Sequence, residues 1–170
     1  SVTLVASANP CPCGFFGDSS RECTCTPMQI NRYLSRISGP LMDRFDIQME
    51  VPSIRFDELT SGKRPETSRE IRERVNRARQ IQLERYKSEG IFYNAQLNPR
   101  LMAKYCALNA AQRKMLRQAF TSLNLSARAY DRILKVARTI ADLEGCRDIE
   151  DHHLAEAIQY RKLDRRLWMQ

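Results

Sequence analysis

Apolar residues recur at strand spacing near the start of this chain and at helical spacing over most of the rest. Residues 1–8 are a continuous run rich in β-branched and apolar side chains, and residues 45–51 alternate apolar and polar positions. Both patterns predict strands. Residues 28–38, and most of the chain from residue 67 onward, instead carry apolar side chains three and four positions apart. The chain is therefore predicted to be mainly α, with a small α/β segment preceding a helical bundle.

Capping residues mark the expected ends of five helices in the second part. Thr67 and Glu70 have the spacing of a capping box, and Asn98 precedes a proline, which suits a first helical turn. Asp148 is expected to cap the last helix. The predicted helices cover residues 67–90, 98–108, 109–123, 126–145 and 148–163. Two strands do not make an independent sheet, so the strand segments are expected to be rearranged, poorly ordered or paired with another copy of the chain.

Composition places the chain among ordinary globular proteins. Of its 170 residues, 42% are apolar and 28% are charged. No apolar run approaches the length of a membrane span, and the first residues lack the basic region of a signal peptide. We therefore expect a cytoplasmic protein without a membrane partner. The chain opens on an apolar β-run without an initiator methionine, which favours a piece of a longer protein.

Positive charge is concentrated in the second part of the chain. The net charge is +8, yet residues 1–54 contain four arginines against five acidic residues, whereas residues 55–170 contain 24 basic and 15 acidic residues. The predicted helix over residues 67–89 alone has seven basic and four acidic residues. Such a surface suits nucleic acid, nucleotide phosphate or an acidic partner, and it equally suits a well-solvated helical face.

Four cysteines lie close together in a loop rich in glycine and proline. They form two Cys-X-Cys pairs, Cys11 with Cys13 and Cys23 with Cys25. Four thiolates are a set that binds zinc tetrahedrally, so the loop is predicted to be a structural zinc site. Reduced free cysteines and disulfides are the alternatives, and disulfides need an oxidising compartment for which nothing in the sequence argues. Cys106 and Cys146 are expected to be ordinary thiols.

Three polar residues stand where side chains often meet ligands. Asn9 ends the first predicted strand, where α/β proteins commonly bind ligands, although an asparagine there equally suits a turn. Arg44 lies between Asp43 and Asp46, and it either pairs with these acids or reaches a phosphate on another subunit. Arg128 lies in the first turn of a predicted helix, where the helix dipole disfavours a cation. It is therefore either a solvated arginine or a residue that contacts a ligand.

Three stretches together resemble the C-terminal part of magnesium-chelatase-like AAA+ ATPases, and within them the ComM/YifB group. They read LVASANPCPCGFFGD, RYLSRISGPLMDRFDI and LSARAYDRILKVARTIADLEG, and the likeness runs from about residue 2 to residue 161. The resemblance implies that Asn9 is sensor 1, which orients the attacking water. It implies that Arg44 is an arginine finger for a neighbouring subunit's nucleotide and that Arg128 is sensor 2.

The same resemblance implies a domain division and a fold. Residues 1–54 would be the C-terminal remnant of the AAA+ core, a truncated α/β segment that carries the cysteine-rich loop. Residues 55–161 would be the helical lid, and residues 162–170 a C-terminal tail.

The resemblance also implies a hexameric, ATP-driven DNA motor of the branch-migration helicase type, acting in natural transformation or recombination with ATP and Mg²⁺. The 170 residues contain no GxxxxGK[ST] phosphate loop and no Walker B strand, so this piece alone is not expected to hydrolyse ATP. Two alternatives remain open. One is a non-enzymatic helical module that binds nucleic acid, and the other is an ATPase subunit of the magnesium-chelatase type.

Overall fold

The computed structural model describes residues 3–52 and 64–161, and every regular element within these ranges is helical. The first range contains two short helices, α1 (Pro27–Leu34) and α2 (Gly39–Met42). The second range contains five α-helices and a 3₁₀ turn at Asn94–Gln96. The five are α3 (Ser68–Arg85), α4 (Pro99–Tyr105), α5 (Ala110–Leu123), α6 (Ala127–Glu144) and α7 (Asp151–Gln159). The mainly α fold and its five-helix second part are confirmed.

The helix starts follow the predicted caps with one exception. Thr67 and Glu70 form a reciprocal capping box at α3, and Asn98 caps α4. The prediction of Asp148 as the last cap is wrong, because α7 begins after Glu150. The buried Ile149 explains the difference, since its carbonyl accepts a hydrogen bond of 2.9 Å from the side chain of Gln112 on α5 and so lies outside the helix.

Helix α6 is the centre of the main hydrophobic core. It packs against α3, α4 and α7, and it buries one apolar face along most of its length. The buried members of this core come from α4 to α7, from the connections between helices and from the C-cap of α3. They include Tyr86, Leu97, Leu101, Met102, Leu116, Ile133, Leu134, Ala137, Leu154 and Ala157. Ile71 and Val75 are 42% and 43% exposed, so burial of α3 begins only at Ala78.

A buried polar network fastens α3 to α6. The carboxylate of Asp142 accepts hydrogen bonds from Arg85 at 2.9 Å, from Arg138 at 3.2 Å and from Asn94 at 2.9 Å. Arg138 also donates to the carbonyls of residues 146 and 147, and the hydroxyl of Tyr86 donates to Asn94 at 2.6 Å. Because buried charges are tolerated only when they are paired and hydrogen-bonded, this network fixes how the two long helices meet.

The two predicted strands are wrong for the part of the chain that the structure describes. Residues 3–8 and 45–51 pair with no other strand there. Leu4 and Val5 are 68% and 89% exposed, and Met49 and Val51 are exposed as well. A strand needs a neighbour that satisfies its backbone N–H and C=O groups, and these two segments provide none for each other.

Among the described residues, none of the helices has both the length and the apolar character needed to cross a bilayer.

Candidate functional site

The four cysteines of the loop converge on one point. The sulfur of Cys11 lies 3.3 Å from that of Cys13 and 3.7 Å from that of Cys23, and the sulfurs of Cys13 and Cys23 are 3.5 Å apart. With Cys25, all four sulfur atoms lie within 4.8 Å of one another. Four thiolates around zinc at about 2.3 Å would be separated by about 3.8 Å. The donor set and its spacing therefore fit a tetrahedral metal ion.

Local backbone geometry builds this arrangement. Gly14 and Gly17 have φ values of +87° and +82°, a left-handed conformation that other residues adopt only at a cost. The N–H of Gly14 donates to the carbonyl of Cys11 at 3.0 Å and closes the turn that brings Cys11 and Cys13 together. Glycine at these positions is thus needed for its backbone conformation.

A very small hydrophobic cluster supports the loop. It consists of the buried Cys11 together with Ile30 and Leu34 of α1, and Phe16 and Tyr33 pack against it. Three buried residues cannot offset the entropy of ordering a segment of this length. We therefore expect the loop to depend on an additional cross-link.

The thiols of the loop differ in acidity. The backbone N–H of Phe15, which hydrogen-bonds to its sulfur, is the main reason that the pKa of Cys13 is lowered to about 5. Burial raises the pKa of Cys25. The lowered pKa of Cys13 favours its thiolate, which is the form that binds a soft cation.

None of the six cysteines, all of which lie in described residues, forms a disulfide. The sulfur separations in the loop are far longer than the 2.0 Å or so of a disulfide bond. Cys106 is buried in the main core, and burial raises its pKa to about 11, which suits the expected inert thiol.

Asn9 lies beside the cysteine loop. Its side-chain amide is 3.8 Å from the position that a Cβ atom at Gly14 would occupy, and the residue is exposed. The structure therefore places Asn9 next to the turn of Cys11 and Cys13, and no contact joins it to Arg44 or Arg128 in the described residues.

Arg44 follows α2 and is exposed. Its guanidinium donates to the carbonyl of Pro40 at 2.6 Å, a contact within its own turn. The two acids beside it bond elsewhere, Asp43 to Ser126 and Arg161 and Asp46 to Arg132. Of the alternatives that the sequence left open, pairing of Arg44 with its neighbouring acids is therefore wrong.

Arg128 is the second residue of α6. It is exposed, and in the described residues no carboxylate lies within ion-pair distance of its guanidinium. It stands at the positive end of an 18-residue helix whose cap is Ser126. The helix N-terminus carries a partial positive charge. An anion close to this end would therefore be attracted both by Arg128 and by the helix dipole.

Contacts that the sequence did not reveal join the segment around Arg44 to the start of α6. The hydroxyl of Ser126 donates to the carboxylate of Asp43 at 2.9 Å. Arg132 forms an ion pair with Asp46. A further contact comes from the end of α7, where the buried Arg161 bonds the carbonyl of Phe45. The partners are more than 80 residues apart in sequence, so no local spacing pattern could have indicated them.

A second group of metal-ligating side chains lies between α6 and α7. Atoms of Glu144, Cys146 and His153 are within 4.8 Å of one another. The Nδ1 atom of His153 accepts the backbone N–H of Glu150 at 2.9 Å, so the proton of the neutral ring is on Nε2, which lies 3.1 Å from Glu144. His152 also bonds Glu144, and this contact raises the pKa of His152. The group is thus a hydrogen-bonded helix cap, and its tautomer does not suit a metal.

The basic face of α3 is partly neutralised. Three of its six arginines form ion pairs, Arg69 with Glu73, Arg74 with Glu66 and Arg85 with Asp142. The charge that remains for an external partner is therefore smaller than the sequence suggests.

Comparison with known families assigns the chain to a class. The family model described as magnesium chelatase, subunit ChlI C-terminal, matches residues 65–161, and the model for magnesium chelatase, subunit ChlI, matches residues 1–59. The helical second part is thus of the ChlI C-terminal type, and a ChlI-type segment precedes it. The chain belongs to the magnesium chelatase family.

Proteins similar to this chain include ComM and YifB proteins. The chain is 46% identical over 166 residues to competence protein ComM of Haemophilus influenzae. It is 42% identical over 169 residues to the uncharacterized protein YifB of Salmonella typhimurium and 40% identical over 166 residues to YifB of Escherichia coli. Each match covers 96% of this chain and 31% of the relative, so the chain spans about a third of the length of these relatives.

Proposed function

We propose that this chain is the C-terminal part of a hexameric AAA+ ATPase, an ATP-driven DNA motor of the branch-migration helicase type that acts in the cytoplasm during natural transformation or recombination. Family membership and the similarity to a competence protein support the proposal. The complete protein would supply the phosphate loop and the Mg²⁺ ligands, which these 170 residues lack. The chain would supply the residues that sense the γ-phosphate.

The observation that carries the proposal is the pair of arginines without a carboxylate partner. Arg44 and Arg128 are exposed, and the described residues offer neither of them an ion pair. A guanidinium stays charged and spreads over phosphoryl oxygens, which is what a finger or a sensor of the γ-phosphate requires. Arg44 would act on the nucleotide of a neighbouring subunit, and Arg128 and Asn9 on the γ-phosphate.

ATP hydrolysis and DNA binding, measured side by side on the complete protein and on this chain, test the proposal. We expect the complete protein to hydrolyse ATP faster when DNA is present and the chain alone not to hydrolyse it, because the phosphate cradle is absent from the chain. A complete protein without ATPase activity would refute the proposal. Hydrolysis that responds to a porphyrin and not to DNA would favour the chelatase alternative.

The DNA-binding measurement on the isolated chain also tests the alternative of a non-enzymatic nucleic-acid-binding module. If the basic face of α3 binds nucleic acid by itself, the isolated chain binds DNA at low salt and its affinity falls steeply as salt rises. The ion pairs of Arg69, Arg74 and Arg85 argue for weak binding.

We further propose that the cysteine loop holds one structural zinc ion through Cys11, Cys13, Cys23 and Cys25. The convergent sulfurs and the small hydrophobic cluster around them support this assignment. A structural zinc site supplies folding free energy directly. Here it would order the loop that carries Asn9.

Metal analysis of the purified chain is expected to find one zinc ion per molecule, and Cys23→Ser is expected to abolish binding because a closed site needs all four thiolates. Removing the zinc should disorder the loop while most of the helical circular dichroism signal remains, since the five-helix core does not include the loop. Cys146→Ser is the matched control and should retain zinc. Loss of zinc in Cys146→Ser but not in Cys23→Ser would contradict the assignment.

A further inference from the structure

Residues 43–46, called here the Arg44 segment, are joined to the start of α6 by side-chain contacts. We propose that two of them, the Asp43–Ser126 hydrogen bond and the Asp46–Arg132 ion pair, act as a positioning clamp that fixes Arg44 relative to Arg128. The inference rests on the proposed function, because it gives the clamp a role only if both arginines contact nucleotide. It adds four positioning residues to the proposed mechanism.

The first contact lies close to both arginines. Asp43 is adjacent to Arg44 in the chain, and Ser126 is two residues before Arg128. The hydroxyl of Ser126 lies 2.9 Å and 3.0 Å from the two carboxylate oxygens of Asp43 and accepts the N–H of Ala129 at 3.2 Å. One serine side chain therefore caps α6 and binds the residue beside Arg44.

The second contact lies six residues beyond Ser126, about 1.7 helical turns further along α6. Arg132 is four residues after Arg128, so the two side chains stand one above the other on the helix. Arg132 reaches across to Asp46, two residues after Arg44. Two contacts nearly two turns apart restrict rotation of the Arg44 segment as well as its distance from the helix.

The two sides of the clamp differ in how firmly they are held. Helix α6 is anchored in the core, where Ala129 and Ile133 are completely or almost completely buried. The guanidinium of Arg44 contacts only its own turn, at the carbonyl of Pro40. The backbone on either side of Arg44 is also held from the end of α7 by the buried Arg161, which bonds Asp43 and the carbonyl of Phe45. The clamp contacts are those that tie this segment to α6, so a movement of the start of α6 would act on Arg44 through them.

This arrangement has a consequence for an assembly with nucleotide between subunits. Arg128 would sense the γ-phosphate at one nucleotide site, and Arg44 would act on the nucleotide of a neighbouring subunit. The clamp joins the two residues within one chain, so the state of one site is passed to the next through the four positioning residues. Such coupling requires two sites joined by one element that responds to both.

A double-mutant cycle in the complete protein tests the clamp, with Asp46→Asn, Arg132→Gln and the two combined. Because a displacement of about 1 Å can cost about 10²-fold in rate, we expect each single variant to lower kcat for ATP about tenfold or more. The KM for ATP should stay nearly constant. The combined variant should be no slower than either single variant, and exchanging the charges with Asp46→Arg and Arg132→Asp should restore part of the rate.

The control is Arg69→Gln, which removes a more exposed ion pair on α3, away from both arginines of the proposed site. It should leave kcat unchanged. Asp46 is 70% exposed, so Asp46→Asn should unfold at nearly the same temperature as the parent protein. A single variant with normal kcat, or single effects that simply multiply in the combined variant, would overturn the clamp.

Two further variants separate failure of the clamp from failure of the proposed function. If Arg44→Ala and Arg128→Ala both hydrolyse ATP normally, the proposed function fails and the clamp with it. If both variants lose hydrolysis while Asp46→Asn and Arg132→Gln keep it, only the clamp is overturned.

Discussion

Replacing Arg44 with alanine in the complete protein is expected to lower ATP turnover by about 10³–10⁵-fold, the range that an arginine finger contributes. The guanidinium would stabilise charge that develops only in the transition state, so nucleotide affinity should stay close to that of the parent protein. Arg44 is exposed and its guanidinium bonds a single carbonyl, so its loss should hardly affect folding. Steady-state hydrolysis and nucleotide titration check the two halves of this expectation.

The matched control is Arg36→Ala, which removes another exposed arginine from the same part of the chain. It should hydrolyse ATP at the normal rate. Mixing Arg44→Ala with a variant that lacks the phosphate-loop lysine should recover activity, because each inactive subunit supplies what its neighbour lacks. Normal turnover by Arg44→Ala would remove this residue from the role, and no recovery on mixing would contradict its action on a neighbouring subunit.

Local patterns were sufficient to predict the five helices of the second part of the chain. The caps at Thr67 and Asn98 each place a side-chain oxygen where the first helical N–H groups need an acceptor, and the structure uses both. The apolar face of α6 was predicted from spacing because its residues are close in sequence. These features depend on neighbours within about one helical turn.

Local spacing could not predict the absence of strand pairing or the contacts around Arg44, because both depend on residues far apart in the sequence. A strand exists only with a partner, and an alternating pattern such as residues 45–51 does not say whether a partner is present. Asp43 looked like a partner of Arg44 because the two are adjacent, yet it bonds Ser126 and the buried Arg161. A buried arginine is not expected from sequence, since arginine is mostly exposed.

The cysteine loop was predicted in part. Two Cys-X-Cys pairs predicted a four-thiolate set, and the structure brings the four sulfurs together. The position of Asn9 beside Gly14 was not predicted, because it depends on how the loop folds back after the first turn. The chemistry of the donor set could be predicted, whereas its surroundings required the structure.

Replacing Asp142 with alanine is expected to lower the free energy of unfolding of this chain by about 3–5 kcal/mol, the usual cost of removing one partner from a buried ion pair. The carboxylate is fully buried, and its loss would leave Arg85, Arg138 and Asn94 without their shared acceptor. Urea denaturation followed by circular dichroism measures the effect.

The control for this prediction is Asp148→Ala, an exposed aspartate in the connection before α7, whose loss should change the free energy by less than about 0.5 kcal/mol. Asp142→Asn should fall between the two variants, because an amide oxygen still accepts hydrogen bonds but carries no charge to balance the two arginines. Equal stability of Asp142→Ala and Asp148→Ala would show that the network does not hold α3 to α6. Since α6 carries both Ser126 and Arg132, a network that does hold the helix also sets the frame on which the Arg44 segment rests.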